Sequence, residues 1–165
     1  MTSSSSKINN MKYILILILL LSSITSFSQK KALDSIPTFA KDSNLNAFII
    51  KWLRKPYRLG GSTEKGIDCS QFNKRLAADV YKINIQNTCI QQWETTDIVK
   101  KDSLEVGDIV FFRSKASPSR WHCGTYIGET MFVHASNKYE GVKVSSLNEP
   151  NYKKAYRGGG RTKNL

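Results

Sequence analysis

Apolar side chains at Leu45, Phe48, Ile49, Trp52 and Leu53 recur at i, i+3, i+4, i+7 and i+8, which is the spacing of one buried helix face. Ser43 or Asn44 is placed to cap the start, Arg54 and Lys55 suit the negative end of the helix dipole, and Pro56 stops the pattern. Gly60, Gly61, Ser62, Thr63 and Gly66 then interrupt the period and predict a flexible loop. From Asp68-Cys69-Ser70 to about Tyr81 a helical pattern returns, with Phe72, Leu76, Ala77 and Val80 on its inner face. Beyond Lys101 the period shortens to two. Ile109 to Phe112, Trp121 to Ile127, Met131 to Ala135, Val142 to Ser145 and a short run near Ala155 to Arg157 read as strands between turn residues. Helices first and a meandering antiparallel sheet afterwards predict an α+β fold.

The ends of the chain read differently. Lys12, the apolar run Tyr13 to Leu21 and the small residues ending at Ser26-Phe27-Ser28 have the layout of a signal peptide over residues 1–28, cut near Ser28-Gln29. The run is shorter than the roughly 20 apolar residues a bilayer-spanning helix needs. An uncleaved signal anchor is the alternative. No cysteine stands near the cut to carry a lipid, and Met1 to Asn10 reads as a mis-called start upstream of Met11. Residues 29–43 are expected to form a short tether, 44–158 one catalytic domain and 159–165 a flexible tail.

Composition narrows the classes. A chain of 165 residues with 40% hydrophobic and 23% charged residues holds one globular domain, not a disordered segment or a polytopic membrane protein. Lys and Arg number 25 against 13 Asp and Glu, for a net charge of +12. Removing residues 1–28 takes away Lys7 and Lys12 and no acidic residue, so +10 belongs to the exported part. That excess points to acidic partners. No RNA-binding motif or basic heptad helix is present, so nucleic acid is not expected among them. The membrane is expected to be met only through the signal peptide before cleavage, and the chain is read as a secreted or periplasmic monomer.

Cys69 follows a glycine-rich loop and opens a helix, with Asp68 or a neighbour as the cap. Unpaired N–H groups and the positive helix end stabilise a thiolate at such a position. A structural or disulfide role stands level with a reactive one, because exported proteins use cysteine structurally. The two histidines, His122 and His134, fall on strands joined by the tight Gly128-Glu129-Thr130 connection. Adjacent antiparallel strands can bring them together, His122 taking the thiol proton and His134 fixing its tautomer. Unrelated polar residues on a half-exposed sheet are the alternative. A metal site is not expected, since no CxxC, HxH or HExxH spacing occurs. Cys123 alternates with His122 and should face away from that site. Cys89 and Cys123 read as packed small hydrophobes, with a Cys89–Cys123 disulfide as the lesser alternative. Trp52 fits the core stripe, and Trp93 and Trp121 read as packing residues or cleft walls.

Five ordered blocks then resemble a known family. Pro56-Tyr57-Arg58-Leu59-Gly60-Gly61, Gly66-Ile67-Asp68-Cys69-Ser70, Leu104 to Phe112, His122 to Gly128, and Phe132 to Ser136 with Gly141-Val142 are similar to the NlpC family of papain-like cell-wall cysteine peptidases. The likeness runs from about Leu45 to Arg157. It implies a papain-like core and a Cys-His-His triad, with Cys69 as nucleophile, His122 as general base and then acid, and His134 as orienting member. It implies Tyr57 beside the oxyanion, the Cys69 N–H as a second donor, and Asp68 and Ser70 against the peptide substrate, although Asp68 serves equally as a helix cap and Ser70 as a first-turn residue. The implied substrate is peptidoglycan or muropeptides, cut between D-γ-glutamyl and a diamino acid, with no cofactor and no metal. Gln71, Cys123 and Arg58 depart from the family's usual residues and bear on bond specificity. A catalytically idle peptidoglycan-binding or scaffold protein, and an amidase or acyltransferase on the same fold, are the competing readings. Intact Cys69, His122 and His134 count against the first.

Overall fold

The computed structural model describes residues 38–163, so the expected signal peptide, residues 29–37 of the tether and the last two residues lie outside the described residues. Helix α1, Ser43–Trp52, buries Leu45, Phe48, Ile49 and Trp52 as its stripe requires. Its cap is Asp42, one residue upstream of the expected position, whose carboxylate accepts from the Leu45 N–H at 2.8 Å. The glycine-rich segment is not a loose loop. It closes as a two-stranded hairpin, β1 Ser62–Thr63 and β2 Gly66–Ile67, and Ile67 exchanges backbone hydrogen bonds with Pro56 and Arg58. Among the described residues no helix is long and apolar enough to cross a membrane.

Helix α2, Cys69–Leu76, runs into a wider π-type turn over Ala77–Tyr81 that ends at Lys82 in a left-handed conformation, φ 61°. Helix α3, Cys89–Thr95, has no apolar stripe and buries only Cys89 and Gln92, which is why hydrophobic periodicity missed it. Thr88 and Gln91 carry its start as a Thr-x-x-Gln capping pair, a signal present in the sequence.

The sheet contains β3 Asp97–Val99, β4 Ile109–Arg113, β5 Trp121–Gly128, β6 Met131–Ala135, β7 Val142–Ser146 and β8 Tyr156–Arg161, in the order β3-β8-β4-β5-β6-β7, every pair antiparallel. The α+β expectation stands. Alternation along the strands makes two faces. Val133, Ala135, Ile127 and Val142 pack under α1 and α2, and Ile109, Phe111, Trp121 and Cys123 pack near the starts of α2 and α3. On the other face Val110, Phe112 and Phe132 meet Tyr152 of helix α4, Pro150–Ala155, which the strand reading had passed over.

The end of the chain departs most from expectation. Gly158, Gly159 and Gly160, read as flexible, lie in β8 between β3 and β4. They are glycines because neighbours press on the strand: a Cβ at Gly158 would stand 3.1 Å from the Trp93 ring, and one at Gly160 would overlap Thr96 and stand 2.9 Å from Phe111. Arg161 then pins the strand end, Nε and Nη2 each donating to one oxygen of the fully buried Asp108 carboxylate at 2.9 Å. A glycine run therefore marks close packing here, not disorder.

Gly160→Ala should lower unfolding free energy by about 1 to 3 kcal/mol, the usual cost of overpacking. Gly60→Ala, at φ +71° but with open space around it, should cost about 1 kcal/mol. Urea titration of both variants checks this, and a Gly160→Ala protein as stable as the parent would contradict the packing described.

Candidate active site

Asp68 sets the start of α2. Its side chain is buried, one oxygen accepts from the Gln71 N–H at 2.8 Å and the Ser70 hydroxyl at 2.9 Å, and the other accepts from the Gly60 N–H at 2.9 Å. One carboxylate thus caps the helix, ties down the glycine turn and orients Ser70. Cys69 follows immediately, as the first residue of α2, where the helix end favours negative charge.

Two layers inside the molecule keep that helix end in place. Gln92 is fully buried and donates to the Ser70 carbonyl at 3.0 Å and the Gln86 carbonyl at 2.8 Å. Its own oxygen accepts from Asn73 at 3.4 Å and faces the Cys123 thiol at 3.7 Å. Thr125 of β5 donates to Asn73 at 3.1 Å, so α2, α3 and β5 share one buried polar network.

Cys123 is where the sequence reading needs correction. It does face the side of the sheet opposite His122, but that side is the helix layer, and the helix layer is where Cys69 lies. The Sγ atoms of Cys69, Cys89 and Cys123 lie within 4.8 Å of one another, with Cys69 and Cys89 at 3.4 Å. All three are free thiols, so the Cys89–Cys123 disulfide is not formed. Hydrogen bonds from Cys123 and Cys89 hold the Cys69 thiol well below its ordinary value against its own burial, and the charge of His122 acts in the same direction. Burial and the bonds it gives to Cys69 and Cys89 push Cys123 up. Cys89 is lowered by its bond with Cys123, but its bond with Cys69 and its burial outweigh that and raise it. The three shifts run in the directions that favour charge on Cys69 and neutral thiols at Cys89 and Cys123.

The histidines meet as expected. The β5–β6 connection turns through three residues of positive φ, Gly128, Glu129 and Thr130. Pairing of Thr125 with Val133 and Tyr126 with Phe132 makes His122 and His134 diagonal neighbours on one face. His122 Nε2 lies 2.7 Å from His134 Nδ1. His134 is fully buried, and its Nε2 lies 3.2 Å from the Ser145 hydroxyl and 3.3 Å from that of Tyr152. Ser145 and Tyr152 were not anticipated, because nothing in the spacing of the chain links them to residue 134. Burial, then the charges of His122 and Lys143, hold His134 well below the usual histidine range, so it is neutral near pH 7. With its proton on Nε2 toward Ser145 and Tyr152, Nδ1 accepts from His122 Nε2–H, which leaves His122 Nδ1 for the thiol.

Tyr57, half-buried, completes the group. Burial and then the charges of Cys69 and Asp68 push its phenol up to about 12, so it stays a neutral donor near pH 7. Trp93 and Trp121 prove to be packing residues around Phe111, with ring centroids 5.4 Å apart. Beside His122 a groove of about 750 Å³ is lined by Arg113, Lys115, Arg120, Lys154 and Arg157, among others. Arg113 is held there by stacking on Trp121 at 4.1 Å. A low thiol, an imidazole pair, a phenolic donor and a cationic groove are together suited to attack on an acyl carbon in an anionic peptide.

Comparison with known proteins covers the stretch of chain that carries these residues. The model of the NlpC/P60 family matches residues 54–161. The chain is 44% identical over 105 residues to the murein DD-endopeptidase MepS/murein LD-carboxypeptidase of Escherichia coli (strain K12), a match covering 64% of this chain and 54% of that protein. It is 34% identical over 123 residues to the probable endopeptidase NlpC of the same strain, covering 74% of this chain and 77% of that one. The chain thus spans about half the length of the first of these relatives. A solved structure of an NlpC/P60 family protein from Bacillus cereus ATCC 10987 aligns with a TM-score of 0.65 at 30% identity, over 76% of this chain and 41% of that one. Sequence blocks, sheet topology and family model coincide over one stretch, and the chain belongs to the NlpC/P60 family.

Proposed function

We propose that the protein is an exported cysteine endopeptidase that hydrolyses peptidoglycan stem peptides through a Cys69 acyl-enzyme. The observation that carries this is the 2.7 Å contact between His122 and a buried, neutral His134, beside a cysteine held low at a helix start. Cys69 thiolate attacks the scissile carbonyl carbon, and the oxyanion that forms accepts from the Tyr57 hydroxyl and the Cys69 N–H. One such donor is typically worth about 2.7 to 4 kcal/mol in the transition state. Protonated His122 passes its proton to the departing amine, then takes one from water as that water cleaves the thioester. His134 touches neither substrate nor leaving group. It is a positioning residue that holds the His122 ring and its tautomer. Asp68 and Ser70, whose polar atoms are hydrogen-bonded to each other and to backbone, are read as supports of the Cys69 turn more than as substrate contacts.

The basic groove supplies recognition. Stem peptides carry free carboxylates, and Lys154 and Arg157 beside His122 are placed to pair with them. The family resemblance supports a cut at the D-γ-glutamyl-diamino acid bond. A second reading, the D,D cross-link, is favoured by the 44% identity to a protein named a murein DD-endopeptidase. Gln71, whose amide donates to the Asn87 carbonyl at 2.8 Å, stands two residues from Cys69 and, with Arg58, is read as biasing that choice.

Cys69→Ala and His122→Ala should each lower kcat by about 10⁴-fold or more with the fold intact, and His134→Ala should be roughly tenfold to a hundredfold less severe. His134→Asn, whose amide oxygen can still accept from His122, should recover part of the His134→Ala loss. A Cys69→Ala protein that still hydrolyses defined muropeptides sinks the mechanism, and mass spectrometry of the products from purified peptidoglycan separates the two bonds. Replacing Lys154 and Arg157 together by Ala should raise KM by roughly 3- to 10-fold with little change in kcat. An unchanged KM, or the same salt dependence as the parent, would remove the groove from recognition.

A further inference from the structure

We propose that Cys69, Cys89 and Cys123 form a binding site for a monovalent, thiophilic d¹⁰ cation of the Cu(I) type, which ties up the thiol on which hydrolysis depends. Acyl transfer uses one sulfur, yet three converge, from the start of α2, the start of α3 and the middle of β5. Their Sγ atoms lie within 4.8 Å of one another and no disulfide joins any two of them. With a metal–sulfur bond of about 2.3 Å, the corners of a planar three-sulfur site stand about 4.0 Å apart. The Cys69–Cys89 separation of 3.4 Å and the 4.8 Å limit bracket that figure, so small side-chain rotations suffice.

Donor type and surroundings narrow the ion. Three thiols with no carboxylate in the set select a soft metal. Zn(II) in protein sites takes four ligands as a rule, and among the described residues no histidine nitrogen or carboxylate oxygen joins the three sulfurs in their cluster. A cluster of three sulfurs with no fourth donor inside it suits trigonal Cu(I). Ile109, Phe111 and Trp121 pack around the thiols, and Cys69 at 7%, Cys89 at 5% and Cys123 at 0% exposure are screened from bulk water, which protects a reduced ion. An odd number of cysteines, which a disulfide would leave with one thiol over, is accounted for in full. Binding stands apart from the proposed hydrolysis; only the inhibitory consequence rests on Cys69 being the nucleophile.

The test is an anaerobic titration of the reduced, purified protein with Cu(I) against a colorimetric Cu(I) chelator, together with X-ray absorption of the loaded protein and circular dichroism of every variant. The expected result is one Cu(I) per chain with three sulfur neighbours, and affinity at least about 100-fold weaker in the Cys89→Ser/Cys123→Val protein, with each single variant intermediate. Muropeptide hydrolysis by the parent should stop at one equivalent and return when the chelator is in excess. No Cu(I) retained against the chelator, equal affinity in the double variant, fewer than three sulfur neighbours, preference for Zn(II), or a loss of two mass units marking a Cys69–Cys89 disulfide would each overturn the site. Bound Cu(I) with undiminished hydrolysis would leave the site standing and overturn its inhibitory role.

Discussion

The geometry of the site depends on a polar network sealed between the helices and the sheet. Gln92, Asn73 and Thr125 are all but inaccessible to water, and each buried donor and acceptor that connects them would be costly to leave unmatched. Apolar packing alone tolerates sliding of a helix over a sheet, since one methyl group replaces another at little cost. Directional bonds do not. The network therefore fixes the height of α2 above β5, and that height decides whether Cys69 meets Cys123 and His122 or misses them. Asp68 does the same work locally, one carboxylate holding the helix start and the preceding turn.

Cys69 and His122, the proposed nucleophile and base, reach the site from opposite sides of the sheet. Cys69 belongs to the helix layer, whereas His122 and His134 belong to the face that packs on α4. This separation lets each environment be tuned independently. Neighbouring thiols hold the Cys69 thiol low, while burial against Phe132 and Tyr152 keeps His134 neutral near pH 7. The positive groove lies on the same side as the histidines, with His122 in its wall.

Much of this was legible in the chain. The stripe of α1, the placement of Cys69 after a glycine turn and the tight link between the histidine strands are local patterns, and local patterns survive folding. What was not legible came from packing at a distance. Gly158 to Gly160 look flexible until Trp93, Leu104 and Thr96 are seen pressing on them. Helix α3 carries no apolar stripe because its buried side chains are a cysteine and a glutamine. Alternation correctly turned Cys123 away from His122, yet it carried no information about which face Cys69 occupied. Ser145 and Tyr152 become partners of His134 only through strand pairing and the return of α4.

The central claim is that Cys69 is a thiolate at neutral pH because of its neighbours. The most direct measurement is the rate of its alkylation by iodoacetamide as a function of pH, with the modified residue identified by peptide mass spectrometry. The thiolate persists above a depressed pKa, so the account predicts a rate that stays near its maximum through pH 7 and falls only in acid, and a midpoint that moves upward in His122→Ala. A midpoint at or above the free-thiol value of about 8.5, unmoved by that substitution, would contradict it.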